Sequence, residues 1–278
     1  MYKIIVHPGR AHRDDLMAVC ALLATLDAPV EVLRRDPSSE DLADPATYVV
    51  DIGMAYDPEQ HNFDHHQDPD LPCAFHLVMK YLGYHDDAMQ MFGWYPFMSM
   101  MDVRGPHKTA EHFGVDASVF IVSSSPVEGY VLSRFSKLTS LKSQDLLYQL
   151  MKEFGQDLFA LIELKKKRLA LLKEEATVLP VKHIKAVVSR IADNPKLAME
   201  LYLRFLADDR LMISITPSGR GDGWELLRLD DNGLVDFRAI ADCREIRFVH
   251  ANGHVATTHA LLPLPKVIEL AALSIGPE

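Results

Sequence analysis

Cysteine is scarce in this chain, and its distribution excludes two common ways of stabilising a fold. The 278 residues include three cysteines, Cys20, Cys73 and Cys243, which lie far apart. Three scattered cysteines cannot form a disulfide framework, and no Cys-x-x-Cys pair is present to bind structural zinc. The cysteine pattern therefore predicts a protein of the reducing cytoplasm.

Long apolar runs are also missing. No stretch approaches the 18 apolar residues typical of a membrane span, and the opening segment MYKIIVHPG turns polar too early to be a signal peptide. The sequence therefore predicts a chain with no membrane partner.

Basic and aromatic residues are too few for a protein that coats nucleic acid. Lys and Arg total 29 against 39 Asp and Glu, a net charge of −10, and aromatic residues make up 8%. A field of this sign repels polyanions, and the aromatic content does not support an extended base-stacking platform. A local metal-filled cleft could still bind one phosphate group.

What the chain does contain is enough apolar material, 48% of residues, for a sizeable core. Short apolar runs at residues 2–6, 30–33 and 48–52 predict strands, and residues 16–26 predict a helix between the first two. Helices are expected at 74–82 and 88–101, and a strand at 120–123. This order favours an α/β fold, with a mainly parallel sheet flanked by helices.

The second half of the chain differs from the first. Helical spacing of apolar residues from about 143 to 178 predicts one long helix, and short strands follow it. We therefore expect a first domain at 1–176 and a smaller C-terminal α+β domain at 177–278. Four consecutive basic residues at 165–168 are interpreted either as the solvated face of the long helix or as a handle for nucleic acid.

Histidine and aspartate cluster early in the chain. Nine of the 13 histidines precede residue 113. The candidate site residues are His7, His12, Asp14, Asp15, Asp51, Asp64, His65, His66 and Asp102. His7 and Asp51 each follow a predicted strand, and ligands of α/β sheets bind at the carboxyl ends of parallel strands. We therefore expect these segments to converge on one site.

Imidazole and carboxylate without thiolate suit a divalent ion such as Mn²⁺, with Mg²⁺ a poorer match because of the histidines and Zn²⁺ still possible. The set is larger than one ion needs. We therefore expect two ions roughly 3.5–4 Å apart, the arrangement that phosphatases and nucleases use to act on phosphoryl groups.

These residues resemble the four ordered motifs of the DHH phosphoesterase superfamily. The resemblance is closest to its melanocyte-proliferating-gene branch, through V-V-D-I-G at 49–53, Y-D-P at 56–58 and F-D-H-H-Q at 63–67. F-V-H-A-N-G at 248–253 is similar to the terminal signature of that branch. The resemblance implies a DHH-type fold and a manganese-dependent phosphodiesterase, several members of the family being 3′–5′ exonucleases.

The resemblance also implies roles for individual residues. The metal ligands it implies are His7, His12, Asp51, Asp14, His65 and Asp102. Of these, His7 and His12 hold one ion, Asp14, His65 and Asp102 hold the other, and Asp51 bridges the two ions. His66 faces the substrate phosphate, and Asp15, where the branch usually has Glu, joins His66 and Asp51 in the catalytic set.

Four further residues are candidates for contact with substrate. Arg10 and Arg104 lie beside the expected metal ligands and suit phosphate recognition. His250 and Gly253 belong to a loop that, in the family, closes over substrate. The Gly-rich run from Gly219 to Gly223 is interpreted either as a phosphate cradle or as a simple hairpin loop.

Three functions remain open from the sequence. The first is a two-metal phosphodiester hydrolase, a 3′–5′ exonuclease on short single-stranded RNA or DNA. The second is a small-molecule phosphohydrolase acting on a nucleotide, a cyclic dinucleotide or pyrophosphate. The third is a metal-binding regulatory protein without turnover, which the complete set of motifs disfavours.

Overall fold

A computed structural model describes residues 1–122, 125–229 and 233–277. The chain divides into two compact units, Met1–Glu163 and Leu164–Glu278, each with its own sheet. The division lies inside a long helix, Leu146–Glu175, and the domain boundary expected from the sequence lies just after the end of the same helix. The expected α/β class is confirmed, since helices accompany both sheets.

The sheet of the first unit is mainly parallel. Its strands are β1 (Tyr2–Val6), β2 (Val30–Arg34), β3 (Thr47–Val50), β4 (Tyr56–Asp57), β5 (Asn62–Phe63) and β6 (Ser140–Leu141), in the order β4-β5-β3-β1-β2-β6. β1 pairs in parallel with β2 and β3, and β3 with β5. The two edge strands, β4 and β6, pair antiparallel. Ile4, Ile5 and Val6 are completely buried, as expected for a central strand covered on both faces.

Helices accompany this sheet, and the last of them continues into the second unit. They are α1 (Arg13–Thr25), α2 (Ser39–Ala43), α3 (Ala74–Tyr81), α4 (His85–Met91), α5 (Trp94–Phe113), α6 (Ser118–Val122), α7 (Pro126–Ser136) and α8 (Leu146–Glu175). α1 packs against α3. α8 passes very close to α1, because a Cβ atom on Gly155 would lie 2.0 Å from the carbonyl oxygen of Cys20.

Two local predictions are wrong. The single helix expected at residues 88–101 is two helices, since Phe92 adopts an extended conformation between α4 and α5. The strand expected at residues 120–123 is helical as far as Val122, and Ser123 lies outside the described residues. A short apolar run has no period long enough to distinguish a strand from a helix.

α5 contains a kink that ends its first segment just after Asp102. Gly105 has φ 73° and ψ 171°, and Pro106 follows it. Because proline lacks an amide hydrogen and clashes with the preceding turn, carbonyl groups are left without their helical donors. The Thr109 hydroxyl donates to the carbonyl oxygens of Gly105 at 2.8 Å and Met100 at 3.2 Å, which stabilises the kink.

The second unit is an α+β structure with a largely antiparallel sheet. Its elements are β7 (Thr177–Val181), β8 (Ile184–Val188), α9 (Met199–Leu206), β9 (Leu211–Pro217), β10 (Trp224–Arg228), β11 (Ile246–Val249), β12 (Val255–Thr258) and α10 (Leu264–Leu273). The strand order is β11-β12-β10-β9-β8-β7, and only β8 and β9 of these described strands pair in parallel. Leu226, Phe237 and Val267 lie in its core.

The basic run of α8 does not form one uniformly solvated face. Arg168 is buried, its Nη1 donates to the carbonyl oxygen of Asn194 at 2.7 Å, and its Nη2 lies 3.3 Å from Asp193 Oδ2. This arginine therefore anchors the loop before α9. Within the described residues, no helix combines the length and the apolar composition needed to cross a bilayer.

Candidate metal centre

Three neighbouring parallel strands end at one edge of the first sheet, and the histidine and aspartate motifs follow them directly. His7 follows β1, Asp51 follows β3, and Asp64-His65-His66 follows β5. Because the carboxyl ends of parallel strands lie at the same edge, the topology brings these segments together. The remaining candidates come from helices: Asp14 from the first turn of α1, and Asp102 from α5.

The turn after β3 holds Asp51 in an unusual conformation. Asp51 has φ 56°, in the left-handed region that non-glycine residues rarely adopt, and Met54 has φ 54°. The Asp51 amide donates to the carbonyl oxygen of Phe63 at 3.0 Å, and the Met54 amide donates to Asp64 Oδ2 at 2.6 Å. The neighbouring strand and its aspartate therefore stabilise a strained turn that places the Asp51 carboxylate at the site.

The ligand atoms form overlapping groups. Among the described residues these groups are His7, His12 and Asp51; Asp51, His65 and His66; and His12, Asp14 and Asp102. In each group the three ligand atoms lie within 4.8 Å of one another. Asp51 and His12 each belong to two groups, so the ligands form one continuous cluster.

His65 connects the two ends of the cluster. Its Nε2 lies 3.1 Å from Asp51 Oδ1 and 3.2 Å from Asp102 Oδ2. Burial disfavours the charged ring, but these two carboxylates outweigh it and raise the pKa of His65 to about 10. Without a metal ion, His65 would therefore carry a proton between them.

Several polar atoms of the cluster are buried without a hydrogen-bond partner. They are Nε2 of His7, both carboxylate oxygens of Asp14 and Oδ1 of Asp51. His7 Nε2 lies 3.1 Å from Asp15 Oδ2, and Asp51 Oδ1 lies 3.1 Å from His65 Nε2, so of these atoms the two Asp14 oxygens are the ones with neither a hydrogen bond nor an ion pair. Unpaired buried groups of this kind are costly, and a divalent cation would satisfy them. The residues present therefore fit a metal site.

The carboxylates at the centre repel one another. Burial, with the nearby Asp51 and Asp102 charges adding to it, raises the pKa of Asp14 well above its usual value. Burial likewise raises the pKa of Asp51. Divalent cations would relieve both effects, because they replace protons as the source of positive charge.

Asp64 orients the His65-His66 segment, a role that the sequence did not reveal. Its Oδ1 accepts from the amides of His65 at 2.7 Å and His66 at 3.2 Å, and lies 2.7 Å from His66 Nδ1. Burial opposes the charge on Asp64, but its hydrogen bonds with His66 outweigh this and lower its pKa. The contact leaves Nε2 of His66 free to face a ligand.

Asp15 anchors the cluster without joining any of its ligand groups. Its Oδ1 accepts from the His12 amide at 3.0 Å, at the start of α1, and its Oδ2 lies 3.3 Å from Nη1 of the buried Arg34. The Asp15 carboxylate is also the main reason why the pKa of His7 is raised. Arg34 was missed from the sequence, although an arginine at the end of the apolar strand β2 is a recognisable signal.

The two arginines predicted to contact substrate lie in different places. Arg10 lines a cleft of about 810 Å³ together with His12, Asp14 and Asp102. Arg104 lines another cavity, of about 420 Å³, whose other residues include His76, Lys80 and His85. The structure thus brings Arg10, but not Arg104, to the cleft of the metal cluster. His66 faces a smaller pocket of about 290 Å³ with His7 and Asp51.

His250 and Gly253 lie in the second unit, in the turn between β11 and β12. The His250 ring accepts from the Asn252 amide at 3.1 Å and lies 4.2 Å from the His254 ring. Gly253 has φ 68°, and a Cβ atom there would lie 2.1 Å from Asp236 Oδ1. The positive φ favours glycine at this position, which gives Gly253 a role in the turn itself.

The comparisons with known proteins concern the part of the chain that carries most of this cluster. The uncharacterised protein family UPF0160, MYG1_exonuc, matches residues 3–71. Proteins named MYG1 exonuclease from Homo sapiens and Bos taurus are 46% and 43% identical to this chain over 68 residues. Each match covers 23% of this chain and 17% of the relative, so the similarity is to a segment. Asp102 lies outside residues 3–71.

One solved structure aligns with nearly the whole chain, at low similarity. It is described as an exopolyphosphatase-related protein from Bacteroides fragilis, and the alignment covers 98% of this chain and 91% of that chain. The sequence identity is 9% and the TM-score is 0.26, which is too low to establish a shared fold.

Proposed function

We propose that this protein is a two-metal phosphodiester hydrolase of the DHH type, a 3′–5′ exonuclease that shortens single-stranded RNA or DNA. The observation that carries the proposal is the cluster of overlapping histidine and aspartate groups, in which both buried carboxylate oxygens of Asp14 have neither a hydrogen bond nor an ion pair. The similarity of residues 3–71 to proteins named MYG1 exonuclease supports the same class.

The resemblance implies a division of ligands between two ions, and one of the overlapping groups, His7, His12 and Asp51, matches its first half. His7, His12 and Asp51 would hold one ion; Asp14, His65 and Asp102 would hold the other, with Asp51 shared. The position of His65 Nε2 between Asp51 and Asp102 supports this assignment. Two bound Mn²⁺ ions would neutralise phosphate charge and make a water molecule more acidic.

The remaining residues of the site would orient the substrate and the ligands. Asp64 fixes His66 through Nδ1, and the His66 side chain is 54% exposed, so its Nε2 would face a phosphate oxygen. Arg10 would pair with the same phosphate at the mouth of the cleft. Asp15 and Arg34 would keep His7 and the start of α1 in place.

The proposal is tested by incubating 5′-labelled single-stranded RNA and DNA oligonucleotides of increasing length with the metal-stripped protein and added Mn²⁺. We expect a ladder that descends one nucleotide at a time from the 3′ end, weaker activity with Mg²⁺ and none with EDTA. Full turnover by the metal-stripped protein would refute the two-metal assignment. Cleavage at internal positions would refute the exonuclease.

A small-molecule phosphohydrolase is the second candidate, and the charges of the cleft favour it. The cationic side chains lining the cleft are Arg10 and Arg13, and Arg13 forms an ion pair with Glu128. Such a cleft provides few cationic contacts for a long polyanion. Inert oligonucleotides together with rapid hydrolysis of pyrophosphate, a nucleotide or a cyclic dinucleotide would establish this alternative. Tight Mn²⁺ binding without hydrolysis of any of these compounds would instead indicate a metal-binding regulatory protein.

A further inference from the structure

A separate pocket lies entirely within the second unit, beside the Gly-rich loop between β9 and β10. Its volume is about 380 Å³, within the usual range for small-molecule sites. The residues that matter here are Ser218, Arg220, Arg247, Phe248, His250 and Thr257. None of them belongs to the metal cluster.

Two arginines give this pocket a net positive charge. Lys196 and Glu225, which also line it, form an ion pair and cancel one another. In the described part of the chain, no carboxylate lies within ion-pair distance of Arg220 or Arg247. Two guanidinium groups that converge on one cavity without carboxylate partners are suited to a phosphate group.

The loop is built to hold one of these arginines in place. Arg247 Nη1 donates to the carbonyl oxygen of Arg220 at 3.2 Å, and Nε donates to the Thr257 hydroxyl at 3.4 Å. A Cβ atom on Gly221 would lie 2.2 Å from Arg247 Nη1, so any larger residue there would have to displace the guanidinium from this position. The two hydrogen bonds leave other Arg247 donors free for a ligand.

An exposed aromatic ring lies beside the arginines. The Phe248 side chain is 51% exposed, and its ring lies 6.4 Å from that of His250. An aromatic face next to a phosphate-binding pair matches the two parts of a nucleotide, because bases stack on such rings. We propose that this pocket binds a nucleoside monophosphate, with the phosphate on Arg220 and Arg247 and the base against Phe248.

Binding can be measured by isothermal titration calorimetry on the full chain, with AMP, adenosine and inorganic phosphate as probes. EDTA is present throughout, so no divalent ion can recruit phosphate to the first unit. We expect AMP to bind more tightly than phosphate, and adenosine to bind weakly. Arg220→Met and Arg247→Met should each weaken AMP binding about tenfold or more. Phe248→Ala should weaken AMP binding and change phosphate binding less than about twofold.

Arg244→Met is the matched control, since Arg244 is an exposed arginine three positions before Arg247 and outside the pocket. It should bind AMP like the wild type, and near-UV circular dichroism checks that every variant is folded. No AMP binding by the wild type, or unchanged affinity in folded Arg220→Met and Arg247→Met, would overturn the proposal.

The test is independent of the proposed hydrolysis. Asp51→Asn should bind AMP with wild-type affinity, because its change lies in the metal cluster. A protein that hydrolyses no phosphodiester but binds AMP through both arginines would leave this inference standing. An active hydrolase that binds no AMP in EDTA would overturn this inference alone. A 5′-phosphorylated trinucleotide that binds more tightly than AMP would show that the pocket takes a strand end, contrary to the proposal.

Discussion

At the scale of single residues, Asp51 has a strained backbone conformation and is shared by two groups of candidate metal ligands. It is 3% exposed, has a positive φ and belongs to two of the ligand groups. We predict that Asp51→Asn lowers kcat more than about 100-fold, because loss of a ligand should exceed the 10–100-fold effect of residues that only support ligands. Steady-state hydrolysis of bis-p-nitrophenyl phosphate and elemental analysis of bound metal would measure both effects.

The control for this change is Asp27→Asn, an exposed aspartate after α1. It should keep the wild-type rate and metal content. An Asp51→Asn protein with two bound ions and an unchanged kcat would contradict the role of Asp51 as a shared ligand. Asp15→Asn should be milder, because Asp15 supports His7 and α1 from outside the ligand groups.

The buried ring of His76 is expected to make the stability of the protein depend on pH. Its ring stacks on Tyr95 at 3.8 Å and its Nε2 lies 2.9 Å from the Tyr95 carbonyl oxygen, and burial lowers its pKa to about 4. The unfolded chain, with an ordinary histidine pKa near 6.5, therefore binds more protons between pH 6.5 and 4. The stabilisation that comes from keeping the buried His76 ring neutral is therefore complete above pH 6.5, and it is lost as the pH falls toward 4.

We predict that His76→Gln flattens this dependence. Each pH unit in the window is worth about 1.4 kcal/mol per proton, so the wild type should lose about 2 kcal/mol more than the variant between pH 6.5 and 4.5. Urea unfolding in EDTA at several pH values measures the difference in the free energy of unfolding. Comparing the two proteins cancels the contributions of the other groups that titrate. Parallel curves for the two proteins would disprove the assignment.

The candidate ligands were easier to predict from the sequence than the residues that support them. His7 and Asp51 could be placed because each follows a strand, and strand order alone sets that position. The supporting roles of Arg34 and Asp64 were missed, because these roles depend on hydrogen bonds to residues distant in the chain or on the course of a tight turn. Arg104 is only two residues from Asp102, yet the helix turns it into a different cavity.

At the scale of secondary structure elements, the approach of α8 to α1 depends on Gly155. We predict that Gly155→Ala destabilises the protein by about 1–3 kcal/mol, since the added Cβ overlaps the Cys20 carbonyl oxygen. Helix propensity alone would favour alanine. Thermal and urea unfolding would decide between the two effects.

Gly129→Ala in α7 is the matched control. A Cβ atom at Gly129 meets nothing within 4 Å, so this change should stabilise the protein by about 0.5–1 kcal/mol. Equal shifts of the same sign for both substitutions would show that α8 can move away from α1 at little cost.

Elements with a clear apolar pattern were predictable, and the two-residue strands were not. The helix α8 and the strands β1 and β2 follow from their apolar patterns. The strands β4 and β5 have two residues each and depend on pairing with each other and with β3. The split between α4 and α5 was missed because the apolar pattern continues through Phe92, where the backbone is extended.

At the scale of the whole molecule, the net charge of −10 predicts an unusual response to salt. A protein that makes many phosphate contacts loses about 10³–10⁵-fold in affinity between 50 and 200 mM salt. Here we predict that kcat/KM for a 20-nucleotide strand changes less than about threefold over this range, because screening also reduces the general repulsion. A steep fall with salt would indicate an extended basic contact surface.

The small edge strand β6 has a consequence for the order in which the first unit assembles. Five strands of its sheet are complete by Phe63, but β2 has to wait for Ser140 and Leu141 to cover its edge. The same late segment brings Phe135 over the guanidinium of Arg34 at 4.3 Å, and the Thr139 carbonyl oxygen to the Arg34 amide at 3.0 Å. Because contacts distant in sequence form slowly, the nascent chain carries an open sheet edge while the arginine that secures Asp15 is still unsupported. During synthesis from the amino terminus, the segment that covers the edge of β2 and supports Arg34 therefore emerges after all the candidate metal ligands, so one late segment completes both the sheet edge and the support of Asp15.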